Sequence, residues 1–422
     1  MTSIDKLRVT LVTVNFAPET TGIAAYTTSL AKGLTQRGFE LSVVTAAPHY
    51  PAWRVLSRSE WASTEMVDGV HIRRLRSYVP AHPNPLTRTV FELLYGLRFA
   101  ARSYRDTDTV ILVSPALFAS ALVRLRLRLG RHRPRVVLWL QDRYSAGVKE
   151  VAGGAGRLAG GLVHRVESWL ARAADDVVVI HDRWVEPIVE TLGVKPESIH
   201  VVRNWTHVTI LPVNVPAARA QLGWGRTGDE VVVLHSGNMG AKQGLENVVE
   251  AARLAERQEL PIRFVLAGDG NQREHLERLA DGCATLEFMG PLPEPEYLRA
   301  LQAADVLLLN ELPGLTQTAV PSKLTSYFAS GRPVLAATES GSVSADEVRA
   351  SGAGVVINPG EPASLLGAAM TLAGSPTDPN SGPEFAARTL SQDAGISTFA
   401  ALLRQRPATI HPIFNQKEGA RS

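Results

Sequence analysis

The stretch "VVVLHSGNMGAKQGLENVV", residues 231–249, decides the fold. Four consecutive apolar residues, Val231 to Leu234, read as a buried β-strand. Gly237, Gly240 and Gly244 then break the pattern around a single cation, Lys242, and an amphipathic helix begins near Leu245. Glycines let backbone N–H groups approach a ligand closely, and a helix start carries partial positive charge. Together with Lys242 they describe a cradle for an anion, most often a phosphate. The competing reading is a plain strand-to-helix turn with a solvated lysine.

Working outward, short apolar runs recur at 9–14, 41–45, 110–113, 136–140, 177–180 and 199–202. A second set lies at 231–234, 264–267, 286–289, 306–309, 334–337 and 355–357. Segments of helical length and pattern separate most of them. Unbroken Val/Ile/Leu strands alternating with helices specify parallel sheets covered on both faces. Two sets predict an α/β protein of two Rossmann-like domains facing a cleft. The turn-rich stretch from Asn204 to Glu230 is the seam. The chain is 45% apolar and 20% charged, which is globular composition. Its one cysteine, Cys283, excludes an internal disulfide and a cysteine zinc site, and fits a reducing compartment. No run reaches the length of a membrane span, and the N-terminal residues read as a first strand rather than a signal peptide.

Ligands of such sheets sit beyond the carboxyl ends of the strands. Polar residues just after a strand are therefore candidates. In "NFAPETTGIAAY", Thr20, Thr21 and Gly22 fall at a helix start, where Thr21 also reads as a simple cap. Gln141 and Asp142 follow the strand ending at Leu140, and Asp142 reads equally as a helix cap. His181 and Asp182 follow the run 177–180. Ser322 and Lys323 in "VPSKLTSYFASG" open another helix. Gly268 and Gly270 of "LAGDG" are too few for a dinucleotide fingerprint. The glycine cluster from Gly153 to Gly161 reads as a loop or lid. Asp106 and Asp108 form a DxD before a strand, at the wrong end of the sheet. The 11 histidines show no metal-ligand spacing, so no metal is expected. Arg124, Arg128 and Arg131 share one helical face, and Arg98, Arg102 and Arg105 another. A solvated helix face is one reading of them, an anionic membrane surface or a lipid-linked pyrophosphate the other, and nothing reads nucleic-acid bases.

"NFAPETTGIAAYTTSLAKGL", "HYPAW", "VVRNW", "HSGNMGAKQGL", "LAGDG", "FMGPLPEPEYLRALQAADVLLL" and "VPSKLTSYFASGRPVLA" follow one another in the order of the family 4 glycosyltransferases of the GT-B fold. Across nearly the whole chain the sequence resembles that family, in wording closest to its bacterial colanic-acid-type branch. The resemblance implies an acceptor-side domain over 1–207 and a nucleotide-sugar domain over 208–390. Over 391–422 it implies a helix returning to the first domain and a flexible tail. It implies retaining, metal-independent transfer from a nucleotide-diphosphate sugar, with no cofactor beyond that co-substrate. Gly237, Asn238 and Lys242 would hold the diphosphate, Lys242 offsetting charge on the leaving group. Gly22 and Thr21 would approach from across the cleft, Leu292 would border the base, and Ser322, Lys323 and Ser326 would line the sugar and ribose. Asp142 would contact the transferred sugar. Asn238 stands where many members carry Arg, and Thr318 and Ser326 stand where many carry two glutamates. The expected acceptor is a saccharide or lipid-linked intermediate of surface polysaccharide, met in the cytoplasm at the inner membrane face. Two other readings compete. One is a catalytically silent GT-B protein that binds sugar nucleotide or scaffolds assembly, and the other is a sugar-nucleotide epimerase using Asp142, His181 or Asp182.

Overall fold

The computed structural model describes residues 6–19, 22–50, 53–55, 62–142, 156–224, 229–316 and 320–405. Two sheets organise them. The first contains β1 (Arg8–Val12), β2 (Glu40–Ala46), β3 (Ala62–Val67), β4 (Val70–Leu75), β5 (Thr109–Val113), β6 (Arg135–Leu140), β7 (Asp176–Val179) and β8 (Ile199–Val201). Their order is β3-β4-β2-β1-β5-β6-β7-β8. The second contains β9 (Val231–Asn238), β10 (Ile262–Asp269), β11 (Leu286–Met289), β12 (Val306–Asn310), β13 (Val334–Ala337) and β14 (Gly354–Ile357), in the order β11-β10-β9-β12-β13-β14. All pairings are parallel except β3 with β4. Each sheet is buried on both faces, which is why its strands are apolar at consecutive positions.

The β3–β4 hairpin is absent from the sequence reading. β3 is largely exposed and β4 alternates buried Val70 and Ile72 with polar residues, so no apolar run marks them. A signal does exist. Asp68 and Gly69 both have positive φ, 52° and 77°, the two-residue hairpin turn that an Asp-Gly pair favours. The glycine cluster also differs from expectation. Gly156 to Gly161 lies inside the helix Gly156–Ala173, and 153–155 fall outside the described residues. The strong apolar face of that helix outweighs the cost of its glycines.

The chain crosses between the two sheets twice at one place. Going out, it passes Trp205, which is fully buried, stacked on Trp139 and bonded through its indole N–H to Ser29 Oγ at 3.0 Å. Coming back, it leaves the second core at Leu390 and forms the helix Gln392–Arg404. Ile396, Phe399 and Leu403 of that helix enter the first core. The Thr206 N–H donates to Leu390 C=O at 2.9 Å, tying the two crossings together. Gly395 permits this contact, since a Cβ there would lie 2.6 Å from the Trp205 ring.

Arg124 is not a solvated cation. Its guanidinium donates to Ala173 C=O, the Nε at 2.7 Å, and so caps the C-terminal end of helix Gly156–Ala173. Arg128 and Arg131 remain exposed. Asp108 accepts the Arg8 backbone N–H at 2.8 Å and pairs with its guanidinium, at the amino end of the sheet.

The glycines of "LAGDG" serve packing. A Cβ on Gly268 would stand 1.9 Å from Gly237 C=O, and one on Gly270 2.4 Å from Met239 C=O. The end of β10 therefore lies flush beneath the turn after β9. Gly268→Ala should cost about 3 kcal/mol, through overlap and through a φ of 141° that alanine resists. Urea unfolding checks this, and an unchanged midpoint would contradict the close approach.

Candidate active site

β9 runs to Asn238, further than its apolar run, so Gly237 and Asn238 are the exposed end of the strand. They pair in register with Gly268 and Asp269. A single 3-10 turn, Ala241–Gln243, follows, then left-handed Gly244 and the helix Glu246–Arg257. Gln243 Oε1 accepts from the Gly240 N–H at 3.0 Å and from Asn238 Nδ2 at 3.2 Å, which fixes the turn from within. Asn310 Nδ2 donates to the carbonyls of Gln243 and Gly244, and the Leu312 N–H donates to Lys242 C=O at 2.9 Å. The turn is thus bolted to the end of β12, with the Lys242 side chain exposed.

A second cation lies beneath it. Lys323 Nζ sits 3.1 Å from the ring nitrogen Nε2 of His235, a fully buried residue of β9. A Cβ on Gly237 would lie 3.5 Å from the same ammonium. Among the described residues no carboxylate forms an ion pair with Lys323, although Glu311 acts on it at longer range. Burial lowers the Lys323 pKa to about 7, with Glu311 opposing. Burial, then the neighbouring ammonium, holds His235 well below its usual value, so the imidazole is neutral and accepts. Glu311 is itself buried and accepts from Thr338 and Ser344, and burial raises its pKa. Ser322 is exposed before the short helix Lys323–Ala329. Ser326 is enclosed at 1% exposure within that helix. Leu292 is half-buried on the second core.

On the first domain, Gly22 is exposed with φ 59° ahead of helix Ile23–Gln36. Thr21, like Thr20 and Thr318, lies outside the described residues. Asp142 is exposed just past β6, and its backbone N–H donates to Ser114 Oγ at 3.2 Å. Gln141 is drawn inward, exchanging paired amide hydrogen bonds of 3.1 and 2.8 Å with Asn204. His181 bridges the domains instead of facing a ligand. Its Nδ1 accepts the Arg183 N–H at 3.1 Å, so its Nε2–H donates to Glu347 Oε1 at 3.0 Å. Burial and Arg203 push His181 down to about 4. Arg203 also pairs with Glu347 across the boundary. Asp182 is exposed beside this bridge.

Sequence reasoning passed over His235 because a buried polar residue within a strand carries no periodic signal, and it passed over Glu311 although that residue directly follows β12, where polar residues are candidates. Arg203 stands within the "VVRNW" wording, which gives it no role of its own. Its pairing with Glu347, 144 positions away by subtraction, has no local mark.

Family models match both halves. A Glycosyl transferase 4-like domain covers residues 21–205, and a Glycosyl transferases group 1 domain covers 230–375. WcaI of Escherichia coli (strain K12), named as a glycosyl transferase of colanic acid biosynthesis, is 32% identical over 339 residues. That is 75% of this chain and 80% of the relative. The chain belongs to the family 4 glycosyltransferases of the GT-B fold. WbjE of Pseudomonas aeruginosa, named as a glycosyltransferase, is 27% identical over 64% of this chain and 67% of its own. In fold, the enzyme resembles a sucrose-phosphate synthase from Thermosynechococcus elongatus. The TM-score is 0.71 at 18% identity, over 94% of this chain and 98% of the other. It also resembles Anabaena HepE in complex with UDP and glucose, with a TM-score of 0.67 at 16% identity over 94% and 99% of the two chains. The enzyme transfers a sugar from a nucleotide-sugar donor.

A diphosphate bound beside Lys323 would have a pH-dependent affinity. With a pKa near 7 it is mostly neutral at pH 8, and a bound diphosphate would favour its ammonium form. Binding of the donor's nucleoside diphosphate at pH 8 should take up about one proton, fading below pH 7 where the lysine is already charged. Affinity should accordingly fall as pH rises above 7. Calorimetry in buffers of different ionisation enthalpy measures this, and uptake that persists in Lys323→Met would assign it elsewhere.

Proposed function

We propose that the enzyme is a retaining glycosyltransferase whose donor diphosphate is held by Lys242 and Lys323, without a divalent metal. The observation that carries this reading is the buried Lys323 ammonium, seated on a neutral imidazole beside Gly237 with no carboxylate paired to it among the described residues. An enclosed cation of that kind is stabilised by an arriving anion. Asn238 supplies no charge where many family members carry Arg, and Lys323 reaches the same strand end. In transfer, the bond from the anomeric carbon to the diphosphate oxygen breaks. The acceptor oxygen bonds that carbon, and its proton passes to the departing phosphate. Exposed Lys242 stabilises the charge that develops there. Gly22 approaches the donor from the first domain, Asp142 contacts the sugar, Leu292 borders the base and Ser322 lines the cleft. Retention of configuration is the course that family 4 membership implies. With Ser326 and Thr318 in place of the two glutamates, the ribose lacks the usual carboxylate partner.

For the acceptor we propose a saccharide or lipid-linked intermediate of surface polysaccharide, in keeping with the colanic acid naming of WcaI. Among the described residues no helix is long and apolar enough to cross a membrane. The helix Pro85–Ala100 nevertheless buries Phe91, Tyr95 and Phe99 and leaves Leu86, Val90, Leu93, Leu94 and Leu97 exposed on its opposite side. At 100° per residue these five form one stripe. Leu125 and Leu129 extend it on the adjoining helix Leu117–Leu129, where Arg126 and Arg128 are exposed. An apolar stripe edged with arginine suits the surface of an anionic membrane.

Lys242→Ala should reduce transfer by about 10²–10³-fold with little change in melting temperature. Near-normal turnover would count against the donor site. Nucleotide-sugar binding with no product from any acceptor would favour a silent binder instead. Leu86→Asp with Leu97→Asp should weaken binding to phosphatidylglycerol vesicles by about tenfold or more, given roughly 1.5–3 kcal/mol per buried leucine. Unchanged sedimentation with vesicles would remove the membrane contact.

A further inference from the structure

The loops after β1 and β2 are joined by one carboxylate. Glu19 is buried, its side chain 1% exposed. Its Oε1 accepts the backbone N–H groups of His49 at 2.7 Å and Tyr50 at 2.8 Å, and its Oε2 accepts from Asn15 Nδ2 at 2.9 Å. Three donors on one enclosed carboxylate leave the "HY" turn little freedom. The chain then places Trp53 at φ 48°, a left-handed conformation uncommon for a bulky residue and concentrated at functional sites.

The rings that follow are mutually braced. His49 packs on Phe91 at 5.1 Å and on Trp53 at 5.9 Å, Trp53 meets Phe91 at 5.8 Å, and Tyr50 meets Trp53 edge-on at 6.3 Å. The Arg88 guanidinium stands 5.8 Å over the Trp53 ring. His49 is kept neutral by burial, with Glu19 opposing, and its Nδ1–H donates to Ala47 C=O at 3.0 Å. His49 and Phe91 are buried, while Tyr50 and Trp53 are only half-buried. The open side of the cluster therefore consists of two rigid aromatic rings and an arginine. It stands at the carboxyl end of β2, and Tyr50 Cε1 comes within 4.0 Å of a Cβ built on exposed Gly22.

We propose that Tyr50 and Trp53 form the stacking subsite for a pyranose ring of the acceptor, held in place by Glu19 and flanked by Arg88. Stacking on a fixed ring requires little ordering of the protein on binding, and the C–H face of a sugar complements an aromatic face. Glu19 and His49 are positioning residues here, since neither is exposed to a ligand. The proposal rests on the transferase reading for the role of the sugar as acceptor, but not for its binding.

Saturation-transfer NMR with methyl glycosides of glucose, galactose and N-acetylglucosamine tests it, alongside thermal stabilisation by UDP, GDP and ADP. At least one glycoside should bind the unaltered protein. Tyr50→Ala and Trp53→Ala should weaken that glycoside by about five- to tenfold. Nucleotide stabilisation should be unchanged in both, and Tyr50→Phe and Trp53→Phe should keep glycoside affinity within about twofold, as a merely structural role would not require. If Trp53→Ala fails to fold, Tyr50→Ala and the phenylalanine variants decide the outcome. Unchanged glycoside affinity in folded alanine variants overturns the proposal, as does nucleotide binding with no glycoside bound at all. Glycoside binding that depends on these rings in a protein that binds no nucleotide supports the subsite and overturns the transferase reading instead.

Discussion

An ammonium group withdrawn from water must find negative charge or give up its proton. Lys323 is withdrawn by its position between His235 and the bare backbone at Gly237, and the nearest help, Glu311, is already bonded to Thr338 and Ser344. Everything on the donor side is arranged around that unmet demand. Gly237 removes a side chain that would stand between ammonium and ligand, Gly268 lets β10 lie beneath, and Asn310 holds the turn in place from β12. The second domain is in this sense a frame for one incompletely satisfied charge.

The first domain holds its buried carboxylate in a different way. Glu19 accepts three hydrogen bonds, and the aromatic rings it braces, Tyr50 and Trp53, are half-buried with Arg88 over Trp53. One domain offers electrostatics and the other offers shape. A nucleotide sugar and a saccharide differ in the same way, the first dominated by phosphate and the second by an uncharged ring.

The legible parts of the sequence were those governed by local pattern. Both parallel sheets follow from apolar runs, and the turn after β9 follows from its glycines and lysine. The β3–β4 hairpin was missed because β3 is largely exposed and β4 alternates buried with polar residues, although Asp68-Gly69 marks its turn. His181 passed the rule that polar residues after strands face ligands, yet it serves a contact between domains. The rule locates the rim of the cleft without saying what stands opposite. Ser326 was placed by spacing within the family wording, and its burial depends on a helix that spacing does not see. Lys323 was named for its helix start, but its pairing with His235 could not be read, since 88 positions separate them.

The double crossing at Thr206 and Leu390 makes inheritance of the two halves unequal. The first sheet is not finished by the first half of the chain. Phe399 and its neighbours, made after both sheets, cover Trp139 and Trp205. During synthesis the leading domain must wait, partly uncovered, until the trailing helix emerges. A gene cut at the seam would therefore yield one fragment carrying an orphaned amphipathic helix and another with a bare tryptophan surface. Each piece would be the other's missing part, and assembly of the pair would restore a core that neither encodes alone.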